Sequence, residues 1–438
     1  MPVLAATISG EAKPNVIFIL ADDLGYGDVG CYGQNQIQTP NLDRLCGEGI
    51  RFIQAYAGTT VCAPSRCSLM TGKHTGHTTI RGNHKAEVPL TAEEVALPQI
   101  FKLAGYTTAL IGKWGVGENG TPGAPNQKGF DYFFGYLTQT AAHDYYPPFI
   151  WRNKEPYPLP ENQYGQTKTY THDLFMQEAL QFIEANQNHP FFLYLPVTIP
   201  HANNELRAKG MQVPTNAPYA GKPWPDAEKN FAAMITRLDT GVGQILALLK
   251  QLKLDQNTLV IFTSDNGPHS EGGHKSDFFG SSGALRGMKR DLYEGGIRVP
   301  FIARWPGKIK AAQKSEQLVA FWDLLPTFAE LVGKSIPQNL DGVSILPALL
   351  ANQPVEHPPL YWEFHEKSFV RAVRLGDWKG VSLSPEKPLE LYDLATDVAE
   401  TNNIATERPE VVDKIEDIMK REHIPNAIWP DDLNLARP

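Results

Sequence analysis

Four stretches of the chain are apolar at nearly every position: residues 15–20, 107–111, 191–197 and 259–263. A short apolar run that does not alternate is the pattern of a strand buried on both faces. Each run is followed by a polar turn containing Gly or Pro. Residues 92–103, 171–185 and 227–252 carry helical patterns between them. In the last of these, Phe231, Ile235, Leu238, Val242, Ile245 and Leu249 recur every three or four residues, which builds one buried face. Strands alternating with helices predict an α/β fold with a large, mostly parallel central sheet flanked by helices.

The texture changes near residue 356. Residues 361–364, 369–374 and 378–383 read as short antiparallel strands, followed by a helix over 409–421. The expected organisation is a main α/β domain over 14–355 and a smaller C-terminal antiparallel-sheet (α+β) subdomain over 356–438. The Pro-rich stretch 145–160 reads as a long loop near a site. No internal repeat or low-complexity segment interrupts the pattern.

Open parallel sheets bind ligands at the carboxyl ends of their strands. Polar groups gather there in this chain. Asp22 and Asp23 close the first run, Lys113 the second, and Asp265 with Asn266 the fourth, while His201 follows the third.

With 438 residues, 42% of them hydrophobic and 20% charged, the chain has enough apolar surface to fold rather than stay disordered. A net charge of -8 gives no electrostatic footprint for nucleic acid. The longest apolar runs fall far short of the ~20 residues that cross a bilayer, so no membrane association is expected. Residues 1–14 lack the basic and apolar regions of an intact secretion leader. Four cysteines, at 31, 46, 62 and 67, are too few for a disulfide scaffold in a chain of this length.

One of these cysteines opens the sharpest motif, Cys62-Ala63-Pro64-Ser65-Arg66, which continues through Leu69 to Thr71-Gly72. Pro64 suits the first turn of a helix and Gly72 its end. A residue at such a helix start faces oriented N–H groups, which favour an anion. Arg66 lies one turn on and can reach back toward Cys62. Taken singly, a cysteine before a helix is more often an inert buried residue.

The motif has company. Cys-x-Pro-Ser-Arg followed by Thr-Gly resembles the signature of the type I sulfatases of the alkaline phosphatase superfamily, the arylsulfatase-like enzymes. Residues 14–25 resemble the family's opening strand, and Gly112-Lys113-Trp114 its lysine motif. Ser264-Asp265-Asn266-Gly267, Gly287-Met288-Lys289, residues 294–300 and Glu390-Leu391-Tyr392-Asp393-Leu394 with Glu400 follow in order.

The resemblance implies a sulfuric ester hydrolase. A formylglycine-generating enzyme would convert Cys62 to formylglycine, the nucleophile as its hydrate. Asp22, Asp23, Asp265 and Asn266 are an oxygen-only set suited to Ca²⁺ or Mg²⁺ rather than zinc. The resemblance implies Ca²⁺, with residue 62 completing the ligands. Cys62, Arg66, Lys113, His201 and Lys289 are the implied catalytic residues. The lysines would hold sulfate oxygens, and His201 would serve as proton donor to the leaving oxygen. One position departs from the family: where its lysine motif carries a histidine, this chain has Gly115. His74, His77 and His143 are candidates to stand in.

Substrate-facing candidates are His143, Asp144, Trp151 and Arg152, whose aromatic and charged mixture suits a sugar, together with Arg81 and its neighbours Gly82, Asn83 and His84, and the stretch from His269 to Asp277. Residues 76–83 resemble a block common in bacterial sulfatases of polysaccharide breakdown, which favours a sulfated carbohydrate substrate. The competing readings are a phosphonate or phosphate diester hydrolase of the same superfamily, and a non-catalytic relative that binds sugar sulfates. A periplasmic or secreted location is implied by resemblance alone.

Overall fold

The computed structural model of the chain describes residues 12–83, 87–366 and 368–431. Most of the stretch read for a leader, His84, and the last seven residues of the expected subdomain lie outside them.

Ten strands form one sheet: β1 (Asn15–Ala21), β2 (Ile50–Tyr56), β3 (Thr107–Lys113), β4 (Tyr132–Tyr136), β5 (Phe149–Arg152), β6 (Glu155–Pro158), β7 (Phe191–Pro196), β8 (Thr258–Ser264), β9 (Phe301–Arg304) and β10 (Gln313–Ala320). Their order is β10-β2-β9-β8-β1-β7-β3-β4-β5-β6. The block β8-β1-β7-β3-β4 is parallel throughout. β9 runs antiparallel to both its neighbours, and β5 and β6 close the far edge as an antiparallel hairpin. The large mostly parallel sheet is therefore present, with antiparallel strands toward its margins.

The apolar runs explain the middle of this sheet. Every residue of β1, β7 and β8 is buried. Val16, Phe18 and Leu20 face one apolar layer, with residues of the helices Leu97–Leu103 and Leu324–Leu331. Ile17, Ile19 and Ala21 face the other, which the helices Thr171–Ala185 and Asp226–Gln251 cover. The 26-residue helix Asp226–Gln251 is long and apolar enough to cross a bilayer. Its apolar residues, Phe231 through Leu249, are instead buried on the sheet.

Two expectations change. The helix expected from residue 92 starts at Leu97, because Pro98 occupies the first turn and the Gln99 side chain accepts the Ala96 N–H at 2.7 Å. Residues 145–160 are not one long loop, since they contain the β5–β6 hairpin. Pro156 and Pro158 are tolerated because β6 is an edge strand.

A second, antiparallel sheet holds β11 (Leu360–His365), β12 (Phe369–Leu375), β13 (Trp378–Ser382) and β14 (Glu390–Asp393) in sequence order. The helix Pro409–Glu422 covers one face through Val411, Ile415, Ile418 and Met419. The other face packs Trp362 and Phe364 against Tyr56, Val61 and Trp322 of the main domain. Trp362 Nε1 donates to Ala57 O at 3.1 Å, and Glu363 N to Thr75 Oγ1 at 2.7 Å. The small sheet thus supports the segment just before and just after the Cys62 helix.

Candidate active site

The site lies at the carboxyl ends of β1, β3, β7 and β8. Because the four strands are parallel neighbours, the polar residues that follow them converge. Asp22 and Asp23 leave β1, Asp23 with a left-handed backbone (φ 64°). Lys113 is the last residue of β3, His201 follows β7, and Asp265 with Asn266 follows β8. The helix Cys62–Thr71 enters from the side. All ten of its residues are buried, and Gly72 ends it with φ 68° and an N–H donated to Ser68 O at 3.0 Å. Ser65 Oγ donates to Asp265 O at 2.5 Å, which pins the helix start to the end of β8.

Cys62 Sγ lies 3.3 Å from Asp22 Oδ1. Lys113 Nζ donates to Asp22 Oδ2 at 2.7 Å. Lys289 Nζ donates to Asp23 Oδ2 at 2.8 Å and to Glu271 Oε2 at 3.1 Å. Arg66 donates to Asp265 Oδ2 and, at 2.8 Å, to Lys113 O. The structure therefore brings Cys62, Arg66, Lys113, His201, Lys289, Asp22, Asp23, Asp265 and Asn266 into one cluster, each side chain buried.

Burial dominates the electrostatics. It pushes Asp22 up, but Lys113, His201 and Arg66 hold its carboxyl well below the usual range. Asp265 is pushed up to about 7 by burial and by the charge of Asp22, against Arg66 and Lys113. Burial and then Asp22 raise the Cys62 thiol, so as a cysteine it is a poor nucleophile. Burial and then Lys289 lower His201. His201 Nδ1 donates to Ala202 O at 2.6 Å, so the neutral ring leaves its Nε2 lone pair to accept from Lys289 Nζ at 3.2 Å. The proton of this pair rests on the lysine.

The donor set fits a hard cation. Three buried carboxylates stand with Asn266, whose buried Oδ1 has no partner among the described residues. Asp22, Asp23, Cys62 and His201 each bring one potential ligand atom within 4.8 Å of the others. Asp22, Asp23, Asp265 and Glu271 are matched by Arg66, Lys113, Lys289 and Arg290. A bound dication would leave the site net positive, ready for an anionic ester.

Cys62 opens into a cavity of about 140 Å³ whose lining includes Asn83, Glu87, Gly115, Gln139, His143 and Arg290. His143 stacks on His201, with ring centroids 4.7 Å apart and planes 15° apart, and its Nδ1 lies 3.1 Å from Glu205 Oε1. His74 and His77 point elsewhere. His74 Nε2 meets Glu422 at 3.3 Å and His77 Nδ1 meets Asp341 at 2.8 Å. Of the three histidines considered for the role missing at Gly115, only His143 lines this cavity.

The remaining substrate candidates have other neighbours. Arg81 is buried against Glu363 at 2.6 Å and Ile424 O at 2.7 Å, between the two sheets. Asp144 Oδ1 accepts the Tyr146 N–H at 2.9 Å and caps its own turn. Trp151 and Arg152 are on β5, next to the edge strand, where Arg152 pairs with Glu178 at 3.2 Å and covers the rings of Phe134 and Tyr157. His269 Nε2 reaches Pro200 O at 3.0 Å and supports the turn that carries His201 from behind. Glu271 falls in the candidate stretch 269–277; Glu87, Gln139, Glu205 and Arg290 were not found by sequence reasoning. They belong to no short motif, and only the fold makes them neighbours.

Comparison with known proteins agrees with this geometry. The profile described as Sulfatase matches residues 14–334, and that described as N-sulphoglucosamine sulphohydrolase, C-terminal, matches residues 287–424. The chain belongs to the sulfatase family. Its activity class is sulfuric ester hydrolysis. It is 33% identical to N-acetylgalactosamine-6-sulfatase of Canis lupus familiaris, covering 86% of this chain and 74% of the relative. It is 29% identical to N-acetylgalactosamine-6-O-sulfatase of Bacteroides thetaiotaomicron, covering 93% of each. The crystal structure of Ps i-CgsB in complex with k-i-k-neocarrahexaose superposes with a TM-score of 0.82 at 28% identity, covering 97% of this chain and 96% of that one.

Proposed function

We propose that this sulfatase removes sulfate from a sulfated carbohydrate, using residue 62 as formylglycine and a bound Ca²⁺. The observation that carries the reading is the position of Cys62, 3.3 Å from Asp22 and in the lining of a cavity shared with His201 and Lys289. The carbohydrate is supported by relatives named N-acetylgalactosamine-6-sulfatase and N-acetylgalactosamine-6-O-sulfatase and by the neighbour solved with k-i-k-neocarrahexaose.

Asp22, Asp23, Asp265 and Asn266 would hold the cation. Bound there, Ca²⁺ would draw charge from the sulfate oxygens, and formylglycine would supply a hydroxyl nucleophile where a buried thiol is poor. The chain's own groups do the rest. Arg66 is fixed by Asp265 and the Lys113 carbonyl, so it holds the start of its helix in place at no cost in reorganisation. Lys113 and Lys289 stand with their ammonium groups on Asp22 and Asp23, within reach of an ester set between them and Cys62. Lys289 Nζ donates to His201 Nε2 across 3.2 Å and would hold the proton destined for the departing sugar oxygen. Burial of all these groups keeps water from screening them.

The test is mass spectrometry of the peptide carrying Cys62, from protein made with a formylglycine-generating enzyme, followed by sulfate release from sulfated sugars. Conversion lowers the mass by about 18 Da. A thiol that persists beside a competent partner would overturn the nucleophile. Faster turnover of a phosphate or phosphonate ester than of any sulfate ester would overturn the substrate.

A further inference from the structure

Gly115 sits where its family carries histidine, and the structure shows what occupies the space. A Cβ at residue 115 would lie 2.0 Å from Gln139 Nε2, and Gly115 has φ 76°. Gln139 Nε2 donates to Gly115 O at 3.0 Å, and the Gln139 backbone N–H donates to Glu87 Oε1. The absent side chain at 115 is therefore the condition for Gln139 to lie across the lysine motif.

These bonds leave one oxygen over on each side chain. Gln139 Oε1 and Glu87 Oε2 are both buried, and among the described residues no donor reaches either. Both residues line the cavity that also contains Cys62, His201 and Lys289. A buried acceptor without a donor costs about 1–3 kcal/mol, so native proteins rarely leave two together unless something else supplies the protons.

We propose that Glu87 and Gln139 form a recognition subsite that accepts hydrogen bonds from the sulfated ring, from neutral donors such as two hydroxyls or a hydroxyl and an amide N–H. The subsite selects sugar sulfates over esters that carry no donor beside the sulfate. Residue 115 is glycine because this acceptor pair needs the room. The inference rests on the sulfatase reading above, and it concerns which ester is chosen rather than how the ester is cleaved.

The experiment measures kcat/KM of matured enzyme on 4-nitrophenyl sulfate and on the 6-sulfates of 4-nitrophenyl N-acetyl-β-galactosaminide, β-galactoside and N-acetyl-β-glucosaminide. Formylglycine content is normalised by mass spectrometry. The wild type should prefer at least one sugar sulfate. Gln139→Met removes one acceptor at similar size, Glu87→Gln puts a donor where an acceptor stood, and Gly115→Ala displaces Gln139. Each should lower the ratio of sugar-sulfate to aryl-sulfate kcat/KM at least ten-fold, chiefly through KM. A ratio unchanged within two-fold in all three overturns the subsite, as does a wild type that favours the aryl ester over every sugar sulfate. Loss of both activities in equal proportion assigns the pair a structural role and overturns it too. If matured wild type cleaves none of the four esters, the sulfatase reading itself has failed, a result the variants cannot mimic.

Discussion

Two nitrogens of Arg66 converge on a single oxygen of Asp265, Nε at 3.0 Å and a terminal nitrogen at 2.8 Å, with both side chains fully buried. The remaining terminal nitrogen holds the Lys113 carbonyl at 2.8 Å. This fork ties the Cys62 helix to β8 and β3 at once. A lysine at 66 has one ammonium and cannot span the three contacts. Arg66→Lys should lower kcat on a sulfate ester at least 100-fold and reduce Tm, because an underpaired buried charge costs about 3 kcal/mol. An Arg66→Lys enzyme with kcat within five-fold of wild type would show that the fork is dispensable.

Asn266 carries the clearest prediction about the cation. Among the described residues its buried Oδ1 has no partner, and a bound cation would supply one. Stripping the protein with EGTA and returning Ca²⁺ should raise Tm, since ligand at 100 times its Kd adds about 2.7 kcal/mol to the folded state. Asn266→Leu should weaken that response at least ten-fold in Ca²⁺ concentration. Thermal shift on unconverted protein reads this without reference to turnover. A Tm indifferent to Ca²⁺ would count against the site.

Glu363 tests the junction between the sheets. It accepts from Arg81 at 2.6 Å, Tyr361 at 2.7 Å, His423 at 2.8 Å and His365 at 2.9 Å. Burial pushes its carboxyl up, but these partners hold it well below the usual range. Glu363→Ala should cost about 3 kcal/mol of stability by leaving buried donors and a cation unpaired. The folded fraction should keep kcat within about three-fold, because Glu363 touches none of the groups around Cys62. A collapse of kcat at full folding would instead tie the small sheet to catalysis.

Asp28 makes stability depend on pH. Its Oδ2 accepts the Gly25 N–H at 2.8 Å. Burial pushes its pKa from the ordinary 3.8 up to about 7, despite hydrogen bonds to Ser281 and Gly25. A carboxyl raised on folding contributes stability that is complete below 3.8 and lost as pH climbs through about 7. Asp28→Asn keeps the neutral shape and removes the titration. Between about pH 5 and about pH 8 the wild-type Tm should therefore fall by several degrees more than that of the variant. Parallel Tm profiles would contradict the assignment.

The sequence made the middle of the main sheet legible because β1, β3, β7 and β8 are apolar on both faces. It hid β2, whose burial alternates, and β10, which reads Gln313-Lys314-Ser315-Glu316-Gln317 before its apolar end. Asp22, Asp23, Lys113, His201, Asp265 and Asn266 were legible because they close or follow the apolar strands, and Cys62, Arg66 and Lys289 because their motifs resemble the family's. Arg81 was not. It lies near the Cys62 helix in sequence, yet its guanidinium finds a carboxylate 282 positions away. Nor was the Gly115–Gln139–Glu87 arrangement, which joins three loops that only the sheet brings together. Chain proximity gives position, and side-chain direction comes from packing.

The helix Cys62–Thr71 has no exposed residue, and β11 and Trp322 pack over the segment around it. An enzyme that converted this thiol would have to take hold of the chain around a side chain that is 2% exposed. Once this helix has docked, no such grip exists. Any conversion of Cys62 must therefore be finished while the chain is still open. Maturation and folding then become rival first-order processes drawing on the same nascent pool. The share of active molecules records which one is faster, so slowing collapse of the main domain should raise the specific activity of the protein that emerges.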